Sequence, residues 1–226
     1  MKQTVDRLAL SFMGLSMIAA VSLSANPVTV EELGVGPNET VYINSTGPYG
    51  LGTNLHVYAS VVDLKVNGVS TTGFCIDPWH WSLSGPLSYN TESLAVAPKP
   101  PGPMGTTAAN KIEQLWAHYY SSGPVSNITA AALQLEIWQL VDFGVSGGTT
   151  FHLDSIDHDS AAVLSLMADM SHFLDTNPDA PKANLIAVTG SGQDYVIQSI
   201  PDGGTTVALF GLGLACLVGF RRKLVR

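Results

Sequence analysis

The residue with the most distinctive chemistry in this sequence is a cysteine without an evident partner. The chain contains two cysteines, Cys75 and Cys216. Cys216 lies in an apolar C-terminal segment and is lost if that segment is cleaved, which leaves Cys75 alone. In an exported protein, a lone cysteine is explained by an intermolecular disulfide, by a reactive thiol or by burial as a small apolar residue. All three explanations remain open at this point.

A glutamine on the apolar face of a predicted helix is the second unusual feature. The pattern predicts a helix from about Thr129, a good N-cap residue, to Val141. Gln134 falls on the apolar stripe of this helix, whereas Glu136 and Gln139 are predicted to face solvent. An amide that faces inward must find hydrogen-bond partners, because its desolvation otherwise costs free energy. The same stripe carries Ala130, Ile137, Trp138 and Val141.

Cys75 and Gln134 lie in two short motifs, the strand motif Phe74–Asp77 (FCID) and the helix motif Leu133–Trp138 (LQLEIW). This pair of motifs resembles that of the bacterial thioester domains, in which a Phe/Tyr-Cys-Ile-Asp/Glu strand meets a Thr-Gln-x-Ala-Ile-Trp helix. The strand motif matches well. The helix motif departs from the pattern at Leu133, which replaces threonine, and at Glu136, which replaces alanine. In order of elements, the resemblance extends over roughly residues 53–198 and favours a thioester-like α+β domain over residues 28–199.

The resemblance implies that the sulfur of Cys75 and the side-chain carbonyl of Gln134 form an internal thioester with release of ammonia. Such a bond requires that thiol and amide be held in contact and that the thiol be deprotonated. Asp77 and His80 are candidates to assist that step. The alternative is that Cys75 belongs to the core and that Gln134 is hydrogen-bonded to backbone, and the sequence leaves both open.

The N-terminal segment has the three parts of a signal peptide. A basic start with Lys2 and Arg7 precedes an apolar run from Leu8 to Val21, and small residues follow up to Ala25. We predict a signal peptide over residues 1–24, cleaved after Ser24 or Ala25. An uncleaved anchor is the alternative, although the apolar run is short for a membrane span.

The C-terminal segment, residues 200–226, also has an ordered set of parts. Pro201, Asp202, Gly203 and Gly204 form a turn-rich hinge, residues 205–220 are an apolar helix candidate, and Arg221-Arg222-Lys223 follows as a stop-transfer cluster. This order resembles the VPDSG-CTERM tail, a variant of the PEP-CTERM sorting signals that exosortases process. Ile200 replaces the usual valine. The resemblance implies an exosortase-type partner and a transmembrane sorting helix.

The charge of the middle of the chain argues against nucleic acid as a partner. Residues 26–199 contain four lysines, no arginine and sixteen acidic residues. Such a surface repels phosphate backbones and anionic lipid, so the termini are the only predicted membrane contacts.

Five residues before the third predicted helix could suggest a metal site. Acidic residues gather at helix starts, however, and no zinc or EF-hand spacing is present, so we expect no metal and no cofactor. These residues are His152, Asp154, Asp157, His158 and Asp159.

The order of predicted elements favours an α+β fold, as a β-sandwich or open barrel with a helical insert. A short strand is predicted at Val41–Asn44, a hairpin turns at Asn67-Gly68, and a closing hairpin is formed by residues 185–188 and 195–198. The proline-containing segment 79–106 is predicted as a long loop. Helices are predicted around residues 112–119, over 129–141 and from Asp159 or Ser160 onward.

We therefore expect an exported, envelope-anchored adhesion or matrix protein in which Cys75 and Gln134 form the thioester site. Its partner would be an amine-bearing protein or a surface polysaccharide. A structural matrix protein with a free cysteine is the main alternative, and a secreted hydrolase is a distant one. The chain has no Gly-x-Ser-x-Gly, Walker or paired-carboxylate pattern, so we do not expect an enzyme. The segment Trp79-His80-Trp81 is predicted to cover the hairpin, although its aromatic rings could also contact sugars.

Overall fold

The computed structural model describes residues 26–121, 123–145 and 150–199. The predicted signal peptide (1–24), the sorting motif, the transmembrane helix (205–220) and the stop-transfer cluster lie outside the described residues. Within these residues, no helix combines the length and apolar character needed to span a membrane.

Seven strands form one antiparallel sheet in the order β2-β3-β7-β6-β4-β1-β5. The strands are β1 (Asn26–Thr46), β2 (Gly52–Val66), β3 (Val69–Cys75), β4 (Leu87–Glu92), β5 (Thr150–Ile156), β6 (Leu185–Gly190) and β7 (Tyr195–Gln198). Because β1 pairs with β4 near its start and with β2 along most of its length, six strands form a closed ring of pairings. The α+β class is confirmed, but the barrel is closed rather than open.

The length of β1 allows this closure. The strand has 21 residues, and its register with β2 shifts at three places, between Glu32 and Gly34, between Val35 and Asn38, and between Ile43 and Ser45. Such irregularities bend and twist a strand, which lets one strand leave one neighbour and join another. The prediction of a short strand at Val41–Asn44 was therefore wrong in extent.

The two predicted hairpins are confirmed. Asn67 and Gly68 have φ angles of 49° and 82°, which a two-residue type I′ turn requires. The strands β6 and β7 pair antiparallel near the end of the domain. Inside the ring lies a small apolar core, formed by Val30, Val62, Leu64, Val66, Tyr89, Val188, Tyr195 and Ile197.

Three helices pack as a layer outside the ring. They are α1 (Gly105–Leu115), which continues as a π-helical turn over Trp116–Tyr120, α2 (Asn127–Gly144) and α3 (Ser160–Thr176). The N-cap of α2 is Ser126, whose hydroxyl accepts a bond from the backbone N–H of Thr129 at 3.1 Å, so the predicted cap at Thr129 was wrong. α2 contacts β1, β2, α1 and α3. This central position holds Gln134 against the sheet.

The strands β4 and β5 were not predicted from the sequence. β4 and a 3₁₀ turn at Leu94–Val96 lie within the segment that was predicted as a loop, and β5 precedes α3. β4 reads LSYNTE, and its polar residues give no clear strand pattern. Its backbone is ordered by pairing with β1 and β6, which are distant in sequence.

Candidate functional site

The carboxamide of Gln134 pairs with the backbone of Cys75. Oε1 of Gln134 accepts a bond from the Cys75 N–H at 2.9 Å, and Nε2 of Gln134 donates to the Cys75 carbonyl at 2.7 Å. Both residues are buried, with 3% and 1% exposure for Cys75 and Gln134 respectively. The structure thus brings together the two residues that the sequence singled out, 59 positions apart, and the prediction that Gln134 faces inward is confirmed.

Cys75 lies at the end of β3, where that strand runs close to β7. Gly73 permits this approach, because a Cβ atom there would lie 2.5 Å from the carbonyl oxygen of Val196. Cys75 is opposite Tyr195 in the ladder, and the Ile76 N–H continues the pairing by donating to the Asp194 carbonyl at 3.0 Å. The backbone around the sulfur is therefore fixed on both sides.

Two N–H groups point at the sulfur of Cys75. The Asp77 backbone N–H donates to Sγ at 3.2 Å, and the Trp138 indole N–H donates at 3.3 Å. Burial raises the pKa of the Cys75 thiol well above its ordinary value, and the Asp77 carboxylate raises it further. The two N–H bonds oppose this shift, so they stabilise a thiolate when one forms.

Asp77 and His80 form a pair beside the sulfur. The ring Nδ1 of His80 lies 2.7 Å from Oδ2 and 3.0 Å from Oδ1 of Asp77. The hydrogen bond to Asp77 raises the pKa of His80, and burial raises the pKa of Asp77. His80 therefore bonds to the carboxylate, while Asp77 reaches the sulfur of Cys75 through its backbone.

Asp194 is a buried carboxyl group that the sequence analysis missed. It is 0% exposed, and its two oxygens accept bonds from the backbone N–H groups of Lys99 at 2.8 Å and Gly190 at 2.9 Å. Burial raises the pKa of Asp194 to about 7, and the nearby Asp77 contributes to this rise. The sequence around it, Gln193-Asp194-Tyr195 at the start of β7, has no pattern that predicts a buried carboxyl group.

A cavity of about 200 Å³ reaches Cys75, Gln134 and Trp138. Strand β2 supplies one wall, mainly through alternate residues that share one face, namely His56, Tyr58, Ser60 and Val62. The loop after β3 supplies another through Pro78 and residues 80–82. Strand β1 supplies Glu32, Val35 and Ile43, and the turn between β6 and β7 adds Gln193.

The other sequence-predicted groups have mixed outcomes. The two tryptophans were predicted to cover the hairpin, but only Trp79 is buried, at 1% exposure, whereas Trp81 is 53% exposed. In the part of the chain that the structure describes, no group of three or more His, Cys, Asp or Glu residues converges on a metal position. Asp157 instead lies 3.4 Å from His56, and His152 lies 3.8 Å from Asp154.

The prediction that Glu136 faces solvent is wrong, whereas Gln139 is exposed as expected. Glu136 is 4% exposed, because α3 packs over that side of α2. Its Oε1 accepts a bond from the Ser171 hydroxyl at 2.9 Å, and its Oε2 has no partner among the described residues. Burial raises the pKa of Glu136.

Two similarities to known proteins are found, one to a family model and one to a solved structure. A family model described as the VPDSG-CTERM motif matches residues 199–224. The predicted VPDSG-CTERM sorting motif is thus confirmed. A sorting tail of this kind implies an exported, cell-surface protein that is processed by an exosortase-type enzyme. No curated protein matches this chain. Among solved structures, the thioester domain of the Enterococcus faecium TIE86 protein is similar, with 10% identity, 78% coverage of each chain and a TM-score of 0.39.

Proposed function

We propose that this surface protein carries an internal thioester between Cys75 and Gln134 and uses it to capture an amine on a partner. The observation that carries the proposal is the contact of the buried Gln134 carboxamide with Cys75, whose sulfur receives two N–H bonds. These bonds hold the acyl group of Gln134 against the residue that carries the nucleophile, and proximity is the main requirement for a reaction between two weakly reactive groups.

The thioester forms by attack of the Cys75 sulfur on the Gln134 side-chain carbonyl carbon. The new C–S bond replaces the C–N bond, and the thiol proton leaves with the amide nitrogen as ammonia. The Cys75 N–H already donates to the Gln134 oxygen, where negative charge develops in the tetrahedral intermediate. The N–H groups of Asp77 and Trp138 favour the thiolate that attacks. Asp77 and His80, which form a hydrogen-bonded pair two and five residues after Cys75, are the proposed acceptors of its proton.

Capture reverses the roles of these groups. An amine attacks the acyl carbon of Gln134, the C–S bond breaks, and the amine proton goes to Cys75, which leaves an amide and a free thiol. Burial of the acyl group protects it from water until a partner enters the cavity. Each molecule reacts once, so we propose an adhesion or matrix module rather than an enzyme.

The mass of the purified chain tests this function. The peptide pair that contains Cys75 and Gln134 should weigh less than its sequence mass by one ammonia, and the folded chain should resist thiol alkylation. The variants Cys75→Ala and Gln134→Ala should each have their full sequence mass, because neither can form the bond. Gln114→Ala is the matched control, because Gln114 is also a buried helical glutamine but donates to the Pro178 carbonyl at 2.8 Å. This control should keep the mass deficit.

The second candidate is a non-reactive structural protein of the extracellular matrix. One observation favours it: the paired bonds between Gln134 and Cys75 already satisfy the buried amide, as a structural contact between α2 and β3 requires. In that case the native chain has its full mass and a titratable thiol. A full mass would reject the thioester and select this candidate.

A further inference from the structure

Exposed aromatic rings border the cavity that reaches Cys75. Tyr58 on β2 is 56% exposed and Trp81 after β3 is 53% exposed, and both line the cavity. Tyr49 is 42% exposed and lies 6.4 Å from the His80 ring, which also lines the cavity. A single exposed aromatic ring is ordinary, but several rings from separate segments around one cavity indicate a binding site.

The lining of the cavity combines apolar side chains with polar groups, and its basic groups are the imidazoles of His56 and His80. Glu32, Ser60, Ser82 and Gln193 contribute carboxylate, hydroxyl and amide groups. The described residues that line the cavity include no lysine or arginine. Flat apolar rings together with hydroxyl and amide groups suit a sugar ring, which has apolar C–H faces and a polar edge. The carboxylate of Glu32 favours a sugar that carries an amine.

The charge of the site also selects among amines. Only a neutral amine can attack an acyl group, and a lysine side chain has a pKa of about 10.4. Nearby carboxylates favour the ammonium form and would raise that pKa further, and Glu32 lines the cavity. Electron-withdrawing neighbours make an amine less basic, as in the α-amino group with a pKa of about 7.7–8.0. The amine of a hexosamine, with oxygen-bearing carbons on both sides, belongs to this less basic class.

We propose that the captured amine is that of an unacetylated hexosamine in a surface polysaccharide. The cavity of about 200 Å³ is smaller than the roughly 300–1,000 Å³ typical of sites for drug-sized ligands, so it admits one sugar ring while the rest of the polymer lies outside. The hexosamine nitrogen forms an amide bond with the Gln134 acyl carbon, the C–S bond to Cys75 breaks, and the amine proton goes to the sulfur. This inference rests on the proposed thioester.

Competition among defined amines tests the proposal on the purified chain. The probes are methylamine, a fully deacetylated glucosamine oligomer, its N-acetylated counterpart and a lysine tripeptide whose α-amino group is acetylated. Near neutral pH, the deacetylated oligomer should form the Gln134 adduct about tenfold faster than the lysine peptide, and this advantage should shrink as the pH approaches the lysine pKa. Trp81→Ala and Tyr58→Ala should lower the ratio of oligomer rate to methylamine rate. Phe143→Ala is the control, because Phe143 is 91% exposed and does not line this cavity.

The outcomes distinguish failure of the sugar assignment from failure of the proposed thioester. A lysine peptide that reacts as fast as the oligomer overturns the sugar assignment, and so does a ratio that the substitutions of Trp81 and Tyr58 leave unchanged. An adduct with the N-acetylated oligomer would mean attack by a hydroxyl and would also overturn it. A chain that forms no adduct even with methylamine rejects the proposed thioester itself, and the sugar assignment with it.

Discussion

Gln134 and Cys75 are joined by two hydrogen bonds between one side chain and one backbone unit, at 2.9 Å and 2.7 Å. Each polar atom of the carboxamide has a complementary partner, so the amide has one orientation. The contact links α2 to the end of β3 and sets the acyl carbon beside the residue whose thiol would attack it.

Gln134→Glu should make stability depend on pH in a defined direction. The introduced carboxylate would oppose the Cys75 carbonyl, and an unsatisfied buried group costs about 1–3 kcal/mol. Burial would raise the folded pKa of the new carboxyl above its unfolded value of about 4.3. The loss of unfolding free energy in this variant should therefore reach its full value above the folded pKa of the new carboxyl and disappear below about pH 4. Thermal unfolding followed by circular dichroism measures it, and a loss that stays constant with pH would contradict the pairing.

Trp138→Phe should slow the reaction at the sulfur. The substitution keeps an aromatic ring but removes the N–H that donates to Sγ at 3.3 Å. Because a hydrogen bond to a charged group is worth about 1.5–3 kcal/mol, methylamine capture should slow by roughly tenfold or more. Trp116→Phe is the control, since the buried Trp116 N–H has no partner among the described residues. Equal rates for the two variants would remove Trp138 from the mechanism.

His80→Ala should destabilise the domain more in mild acid than in base. The bond to Asp77 raises the pKa of His80 above its ordinary value of 6.5. That stabilisation is complete below about pH 6.5 and is lost as the pH rises through the folded pKa. Chemical denaturation at about pH 6 and about pH 9 measures the difference. His56→Ala is the control, because the His56–Asp157 pair is longer, at 3.4 Å, and more exposed. A larger effect in base would contradict this assignment.

Asp194→Asn should weaken the pH dependence of stability between pH 4 and pH 7. The folded pKa of Asp194 is about 7 against an ordinary value of 3.8. A carboxyl with a raised folded pKa makes no unfavourable contribution below its unfolded pKa, and its penalty grows until the folded pKa is reached, by about 1.4 kcal/mol per pH unit at most. The variant should lose one backbone bond at every pH but show a flatter curve of unfolding free energy. Asp169→Asn, on the exposed face of α3, should leave the slope as it is.

The tail prediction is tested on an exported reporter fused to residues 200–226 in a host that has an exosortase. Substitution of Pro201 and Asp202 by alanine, or of Arg221, Arg222 and Lys223 by glutamine, should disturb processing or sorting of the fusion. Immunoblots of the membrane, surface and medium fractions measure the result. Identical behaviour with and without these residues would reduce the tail to a generic apolar segment.

The features that depend on neighbouring residues could be predicted from the sequence. The Asn67-Gly68 turn follows from the low cost of positive φ at these two residue types. The inward direction of Gln134 follows from helical periodicity, and the sorting tail follows from the order of hinge, apolar run and basic cluster.

The features that depend on contacts between residues far apart in the sequence could be read only from the folded domain. Glu136 is buried because α3 covers it, although its helical position alone points away from the stripe of Gln134. The closure of the ring depends on β1, which pairs with strands on two sides. The bond from the Trp138 N–H to the sulfur and the bond from the Lys99 N–H to Asp194 join residues 63 and 95 positions apart. Local propensity carries no information about such contacts, since they form only when the sheet and the helices bury their apolar faces against each other.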